Sequence, residues 1–223
     1  MTYYIQQFRS PRGCLSCIVS DTERKEALII DPSVEVNTEE YINYLKDNEL
    51  ILRFIIETHT HADHISSAQK VKAETEAKIL QHKNSASSLK DRALNEETLM
   101  LGDTEVQFLY TPGHTDDCIC IRIGNAVFTG DTLLIGGTGR TDFQNGSSQD
   151  LYNSIWKKLM ILSDSTKVYP AHNYKNQTNS TIGYERAHNP RLALSHDEFV
   201  TTMDAHHPQK PDLFDTAVAE NSK

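Results

Sequence analysis

The chain is poor in the residues that mark out a special class of protein: one tryptophan, four cysteines and seven prolines in 223 residues. Four cysteines at this length exclude a small disulfide-stapled scaffold. No apolar stretch approaches the ~18 residues a spanning helix needs, and mean hydropathy is -0.52. Base is scarce too. Lys and Arg number 22 against 31 Asp and Glu, a net charge of -9, so no basic stripe is at hand to displace counterions from nucleic acid or an anionic membrane. The opening MTYYIQQFRSPRG lacks the basic start, apolar middle and cleavage site of a secretory signal, and is not the Arg/Ser-rich amphipath of an import segment. The expectation is a soluble, cytoplasmic protein with one domain over residues 1–223, of which about 190–223 form a short helical extension and a loosely ordered tail. A domain of that size holds a full core. What the chain has in quantity is histidine, ten in all.

The cysteines fall as Cys14 and Cys17 in a C-x-x-C and as Cys118 and Cys120 in a C-x-C. Either spacing can signal redox or metal chemistry. Both segments read as buried strands, however, and neither opens a helix, so reduced core thiols are the expectation.

Short β-branched runs at 15–21 and 26–32 flank a charged turn, as in a hairpin. Asn37 reads as a helix cap before YINYLKDN. The run 51–58, a helix at about 65–76 and the strand AKILQH then give a β-α-β alternation, which favours layered α/β architecture. Strands return from residue 98 as TLMLG, TEVQFLYTPG, CICIRIG and AVFTGD. Helical spacing of Leu151, Ile155, Leu159 and Leu162 predicts a helix over 150–162, KVYPAH (167–172) a last strand, and Ser195 with Glu198 the start of another helix.

The chemistry gathers in THTHADHIS, which supplies His59, His61, Asp63 and His64 directly after an apolar strand. Imidazoles and carboxylates at that density leave buried polar groups unsatisfied unless something binds them. A divalent metal suits the donors, since His nitrogen and Asp oxygen take Zn, Fe or Mn. Three further strands end in the same way, at His114 (TPGH), Asp131 (FTGD) and His172 (YPAH), and a parallel or mixed sheet would bring all four ends to one edge. The glycines of TPGH and FTGD fit turns needing positive φ. His82, His188, His196, His206 and His207 are expected on helices or in the polar tail, without a role.

The H-x-H-x-D-H run His59 to His64, followed by His114, Asp131 and His172, resembles the metallo-β-lactamase superfamily. That resemblance implies an αββα sandwich, two mixed β-sheets face to face with helices outside and a metal site at one edge. Within the superfamily, TPGHTDDC, FTGDTLLIGGTGRTDFQNG, YPAHNY and ERAHNPRLALSHDEFV are similar to the persulfide dioxygenases. The family implies one Fe(II) per chain on His59, His114 and Asp131, and a facial two-His-one-carboxylate set leaves positions for O2 and a substrate sulfur side by side. The implied reaction is oxidation of glutathione persulfide by O2 and water to sulfite and glutathione, with Arg140 and Tyr174 anchoring the glutathione. His61, Asp63, His64 and His172 are then groups that orient the ligands and bound water. In hydrolytic relatives they complete a second metal site, and since donors for two metals are present the set leaves one iron, two zincs or a mixed pair open. A homodimer and a sulfurtransferase upstream are further expectations of family likeness. The chain departs from the family at Asn173, where relatives typically have Asp, and at Thr138, where some carry Cys.

The main alternative is a glyoxalase II-type dinuclear hydrolase of S-lactoylglutathione. Only 51 residues follow His172, which is short for that enzyme's separate helical domain. A non-catalytic metal-binding module is disfavoured by an intact set of ligands.

Overall fold

A computed structural model describes residues 3–223. The first sheet contains β1 (Tyr3–Arg9), β2 (Leu15–Asp21), β3 (Glu26–Ile30), β4 (Ile51–Ile56), β5 (Lys78–His82) and β6 (Arg92–Leu94), in that spatial order. The second contains β7 (Thr98–Leu101), β8 (Thr104–Tyr110), β9 (Ile119–Ile123), β10 (Ala126–Gly130), β11 (Lys167–Pro170) and β12 (Ser180–Thr181), ordered from β12 back to β7. Both are mixed. From β3 to β6 the strands pair in parallel, and in the second sheet only β10 and β11 do.

Parallel neighbours need crossovers, and helices supply them everywhere but between β5 and β6, which residues 83–91 join without one. Helix α1 (Thr38–Asp47) joins β3 to β4, and α2 (Ala68–Thr75) joins β4 to β5. Helix α3 (Ser148–Ser154) lies between β10 and β11, and α4 (Ile182–His188), α5 (His196–Asp204) and α6 (Phe214–Asn221) follow. No helix among the described residues is long and apolar enough to cross a membrane.

Alternation along the strands builds the layers. Val19, Leu28 and Ile56 point between the sheets and pack with Phe108, Ile121 and Phe128. Their neighbours Ile18, Ile29 and Ile55 point outward onto Tyr41, Ile42 and Leu45 of α1 and Val71 of α2. On the far side Cys120, Val127 and Val168 meet Leu151, Ile155 and Leu159, with Phe199 and Met203 of α5. Strands covered on both faces explain why the sequence shows continuous apolar runs. Each fully buried aliphatic side chain adds about 1.5–3 kcal/mol relative to exposure.

Most of the expected elements are present, with instructive departures. Asn37 caps α1 by accepting from the Glu39 N–H at 3.1 Å, and Ser195 and Glu198 form a reciprocal capping box. The helix expected over 150–162 is regular only to Ser154. Residues Ile155–Leu159 widen into a π-helical turn, closed by Met160 N–H donating to Ile155 O at 2.8 Å. Side-chain spacing alone does not distinguish the two forms. The expectation of a loose tail fails: α6 packs Ala217 fully inside and sets Phe214 against Phe143, ring centroids 4.6 Å apart. One buried residue per two turns leaves too thin a stripe to be read from periodicity.

The four strand ends that carry the candidate ligands do meet, but not on one sheet. Both β8 and β10 are antiparallel to β9 and so run the same way, with β11 parallel to β10; β4 belongs to the facing sheet. The ends converge across the mouth of the sandwich, where Leu15 N–H donates to Ala171 O at 2.7 Å and Ile119 N–H to Thr58 O at 2.8 Å.

Candidate metal centre

Each histidine that follows β4 is buried: His59 is 4% exposed, His61 1% and His64 1%. Donor atoms of His59, His114 and Asp131 lie within 4.8 Å of one another. The two rings stand nearly perpendicular, at 79°, and His114 Nε2 is 3.7 Å from Asp131 Oδ2.

Both rings are held from behind. Asp31 accepts from Thr58 N–H at 2.7 Å and from the Thr58 hydroxyl at 2.8 Å. Having donated its only proton, the hydroxyl accepts from His59 Nδ1 at 3.0 Å. The Arg140 carbonyl likewise accepts from His114 Nδ1 at 2.7 Å. Each Nδ1 therefore carries the proton and each Nε2 presents a lone pair. Burial and the neighbouring His61 and His114 push the His59 pKa well below its ordinary value, so its ring is neutral. The strand-end glycines make this geometry. Gly130 has φ +51°, and a Cβ there would sit 2.6 Å from Thr58 Oγ1; Gly113 has φ +140°, with Leu151 N only 2.2 Å from its Cβ position.

The other donors of the run face carboxylates at ion-pair distance, yet His61 Nδ1 and Nε2, His64 Nε2 and His172 Nε2 are buried without a hydrogen-bond partner among the described residues. His172 lies between two carboxylates, Nδ1 2.6 Å from Asp131 Oδ1 and Nε2 2.8 Å from Asp63 Oδ2. Burial opposes its charge, but Asp131 and Asp63 outweigh it and raise the pKa well above the ordinary value. Burial likewise opposes ionisation of Asp63 and Asp131, and the His172 charge holds both well below the usual carboxylate range. His61 Nε2 sits 3.2 Å from Asp31 Oδ1 and 3.4 Å from Glu57 Oε2. There too the carboxylates outweigh burial and raise the imidazole's pKa.

Two imidazoles with free Nε2 lone pairs and one carboxylate suit a divalent metal, Fe(II) among them. Residues 10–172 match the metallo-beta-lactamase superfamily. The mitochondrial persulfide dioxygenase of Bos taurus is 34% identical over 98% of this chain and 87% of its own length. The chain belongs to the persulfide dioxygenase family of that superfamily. A crystal structure of ETHE1 from Myxococcus xanthus superposes with a TM-score of 0.94 at 35% identity, covering 98% of both chains. A probable hydroxyacylglutathione hydrolase of Schizosaccharomyces pombe is also 34% identical, but over 79% of this chain and 69% of its own.

Beyond the triad, this persulfide dioxygenase family member uses residues the sequence did not advertise. Cys14 is an unpaired buried thiol, as expected of all four cysteines, but its surroundings were not foreseen. Its backbone bridges to His172, and its Sγ lies 3.6 Å from His64 Nδ1 and 3.8 Å from Asp63 Oδ2. Burial raises its pKa, but His172 and His64 more than offset this and lower it to about 7. Asp31, Glu57 and Asp117 are buried acids. Asp117 accepts from the N–H of Thr60 at 3.0 Å and its hydroxyl at 2.6 Å, tying the two ligand loops together. Only the topology brings these residues to the site; the duplicated acid of TPGHTDD was the one sequence hint at Asp117.

Arg140 and Tyr174 have different surroundings. Arg140 makes a bidentate pair with Asp142 at 2.6 and 2.7 Å and donates to the carbonyls of Pro208 and Gln209. One Nη1 N–H remains. Tyr174 is exposed, its ring lying parallel to His172 at 6.3 Å. Asn173 turns away from the metal donors and caps its own turn, accepting from Lys175 N–H at 2.8 Å and Gln177 N–H at 3.0 Å. Thr138 Oγ1 donates to Gly139 O at 3.2 Å. Of the remaining histidines, His82 lies neither on a helix nor in the tail but at the end of β5, as the strand AKILQH implies, buried and stacked on Tyr110 at 4.2 Å. His188 stacks on Tyr184, His196 pairs with Asp197, and His206 and His207 are exposed.

Proposed function

We propose that this protein is a persulfide dioxygenase that converts glutathione persulfide, O2 and water into sulfite and glutathione, with one Fe(II) per chain on His59, His114 and Asp131. The observation that supports the metal assignment is that the imidazoles of His59 and His114 are each fixed from behind through Nδ1 and gather with Asp131, while His61 and His172 each lie at ion-pair distance from two carboxylates. When bound, Fe(II) supplies the activation of O2 that a spin-paired thiol cannot reach alone.

The protein's part is to hold and orient. Thr58 and the Arg140 carbonyl fix the imidazoles, and His172 fixes Asp131 with a proton on Nδ1. In the overall change the terminal sulfur gives four electrons to O2, the S–S bond is cleaved with water, and glutathione leaves as its thiol. The remaining Nη1 N–H of Arg140 takes a glutathione carboxylate, and the exposed Tyr174 hydroxyl gives a second hydrogen bond. A reducing compartment such as the cytoplasm suits four unpaired thiols, and a sulfurtransferase is the class of enzyme that would supply a persulfide. A homodimer follows the family likeness.

Purified protein should contain about one iron per chain and consume O2 with glutathione persulfide. Two zincs per chain and cleavage of S-lactoylglutathione without O2 uptake would overturn this reading. Arg140→Ala should raise KM for the persulfide; an unchanged KM removes Arg140 from the substrate site.

A further inference from the structure

The loop between β4 and α2 is fastened at both ends by the body of the sandwich. At its start, Thr60 donates to Asp117 and its carbonyl accepts from Gln144 Nε2 at 2.7 Å. At its end, Val34 N–H donates to Ile65 O at 3.0 Å and Ser67 N–H to Pro32 O at 2.8 Å. Between them, His61 to His64 carry Asp63 and His64, and through Asp63 the contact to His172 and Asp131.

Among the described residues, the hydrogen bonds to the main chain of this middle stretch come from one side chain. Asn221, the last residue of α6, donates from Nδ2 to the carbonyls of His61 and His64, both at 2.9 Å. Its Oδ1 accepts from Ser66 N–H, also at 2.9 Å. An amide fits because it alone offers two donors and an acceptor on one small planar group. The helix carrying it is anchored separately, by Ala217, by Phe214 on Phe143, and by the Lys223 carbonyl accepting from Ser88 N–H at 2.7 Å.

We propose that Asn221 is a positioning residue of the metal centre, clamping residues 61–66 so that Asp63 stays against His172 and His172 against Asp131. The C-terminal segment is thereby part of the site's construction. The consequence for iron rests on the function proposed above; the hold on the loop does not.

Three variants separate the possibilities. Asn221→Ala removes all three bonds, Asn221→Asp keeps the acceptor for Ser66 and loses both donors, and Asp215→Ala alters an exposed residue of the same helix. Two readouts are needed beside turnover: amide exchange over residues 60–67, and Fe(II) affinity by competition with a chelator. Asn221→Ala should speed exchange at Ser66 and weaken Fe(II) binding about tenfold, lowering kcat with KM within about twofold. Asn221→Asp should keep Ser66 protected yet weaken iron as the alanine does, and Asp215→Ala should match the unsubstituted protein. Iron affinity unchanged in both Asn221 variants, with or without faster exchange, overturns the proposal. Failure of the unsubstituted protein to bind Fe(II) would instead count against the proposed function, and the exchange readout would still decide whether Asn221 holds the loop.

Discussion

Two groups of buried donors adjoin each other at the mouth of the sandwich and are built differently. His59, His114 and Asp131 form one; Cys14, Asp63, His64 and His172 form the other. In the first, each histidine's proton is drawn off by an oxygen on the side away from its partners, by Thr58 Oγ1 for His59 and by the Arg140 carbonyl for His114. In the second, acid and base face one another, so His172 is held by two carboxylates and Cys14 touches both His64 and Asp63. The same residue types give a set whose imidazoles are fixed from behind in one case and a network of facing acids and bases in the other. Metal competence depends on where the protons are parked.

The comparison breaks most sharply at Asp131, the residue both groups share. Asp131→Ala should reduce iron content to background, whereas His64→Ala should lower activity more than iron content; metal analysis of the two purified variants checks this. Equal loss of metal in both would make the second group a ligand set too. Thr58→Val is the next largest effect. It releases His59 Nδ1 and leaves Asp31 short of a donor, which should weaken Fe(II) binding by about 10- to 100-fold and cost about 1–3 kcal/mol of stability; chelator competition and urea unfolding read the two.

The smallest effect is the ionisation of Cys14. In metal-free protein its thiolate absorbance, taken as the difference from Cys14→Ala, should appear with a midpoint at about 7, because His172 and His64 stabilise the anion against burial. A midpoint at the ordinary thiol value would mean that the network is not charged as described. Because the folded pKa is depressed, the anion's contribution to stability is present at pH above the ordinary thiol value and is lost as pH falls through about 7.

Much of this was legible in the chain. Apolar runs of strand length, each followed by a His or Asp, announced the layered fold and the meeting of His59, His114 and Asp131, because a strand end is a rigid place to mount a side chain. The residues not foreseen share a cause. Cys14 reaches the site because the start of β2 pairs with the end of β11, and Asn221 because α6 folds back beneath the ligand loop. His82, the last residue of the strand AKILQH, is buried and stacked on Tyr110, a contact that no local pattern supplies. The partition of His61 and His172 away from the triad depended on Asp31, Glu57 and Asp63, whose distances no spacing rule supplies.

The sequence by itself determined which side chains would be available and which strands would carry them, since hydrophobic period and turn chemistry are local properties. Tertiary structure alone decided which donors face a common point, which are neutralised by a neighbour, and that residues at the two extremes of the chain complete the site. Hydrogen bonds and ion pairs act over about 3–4 Å, and only the packing of the two sheets brings those groups within that range.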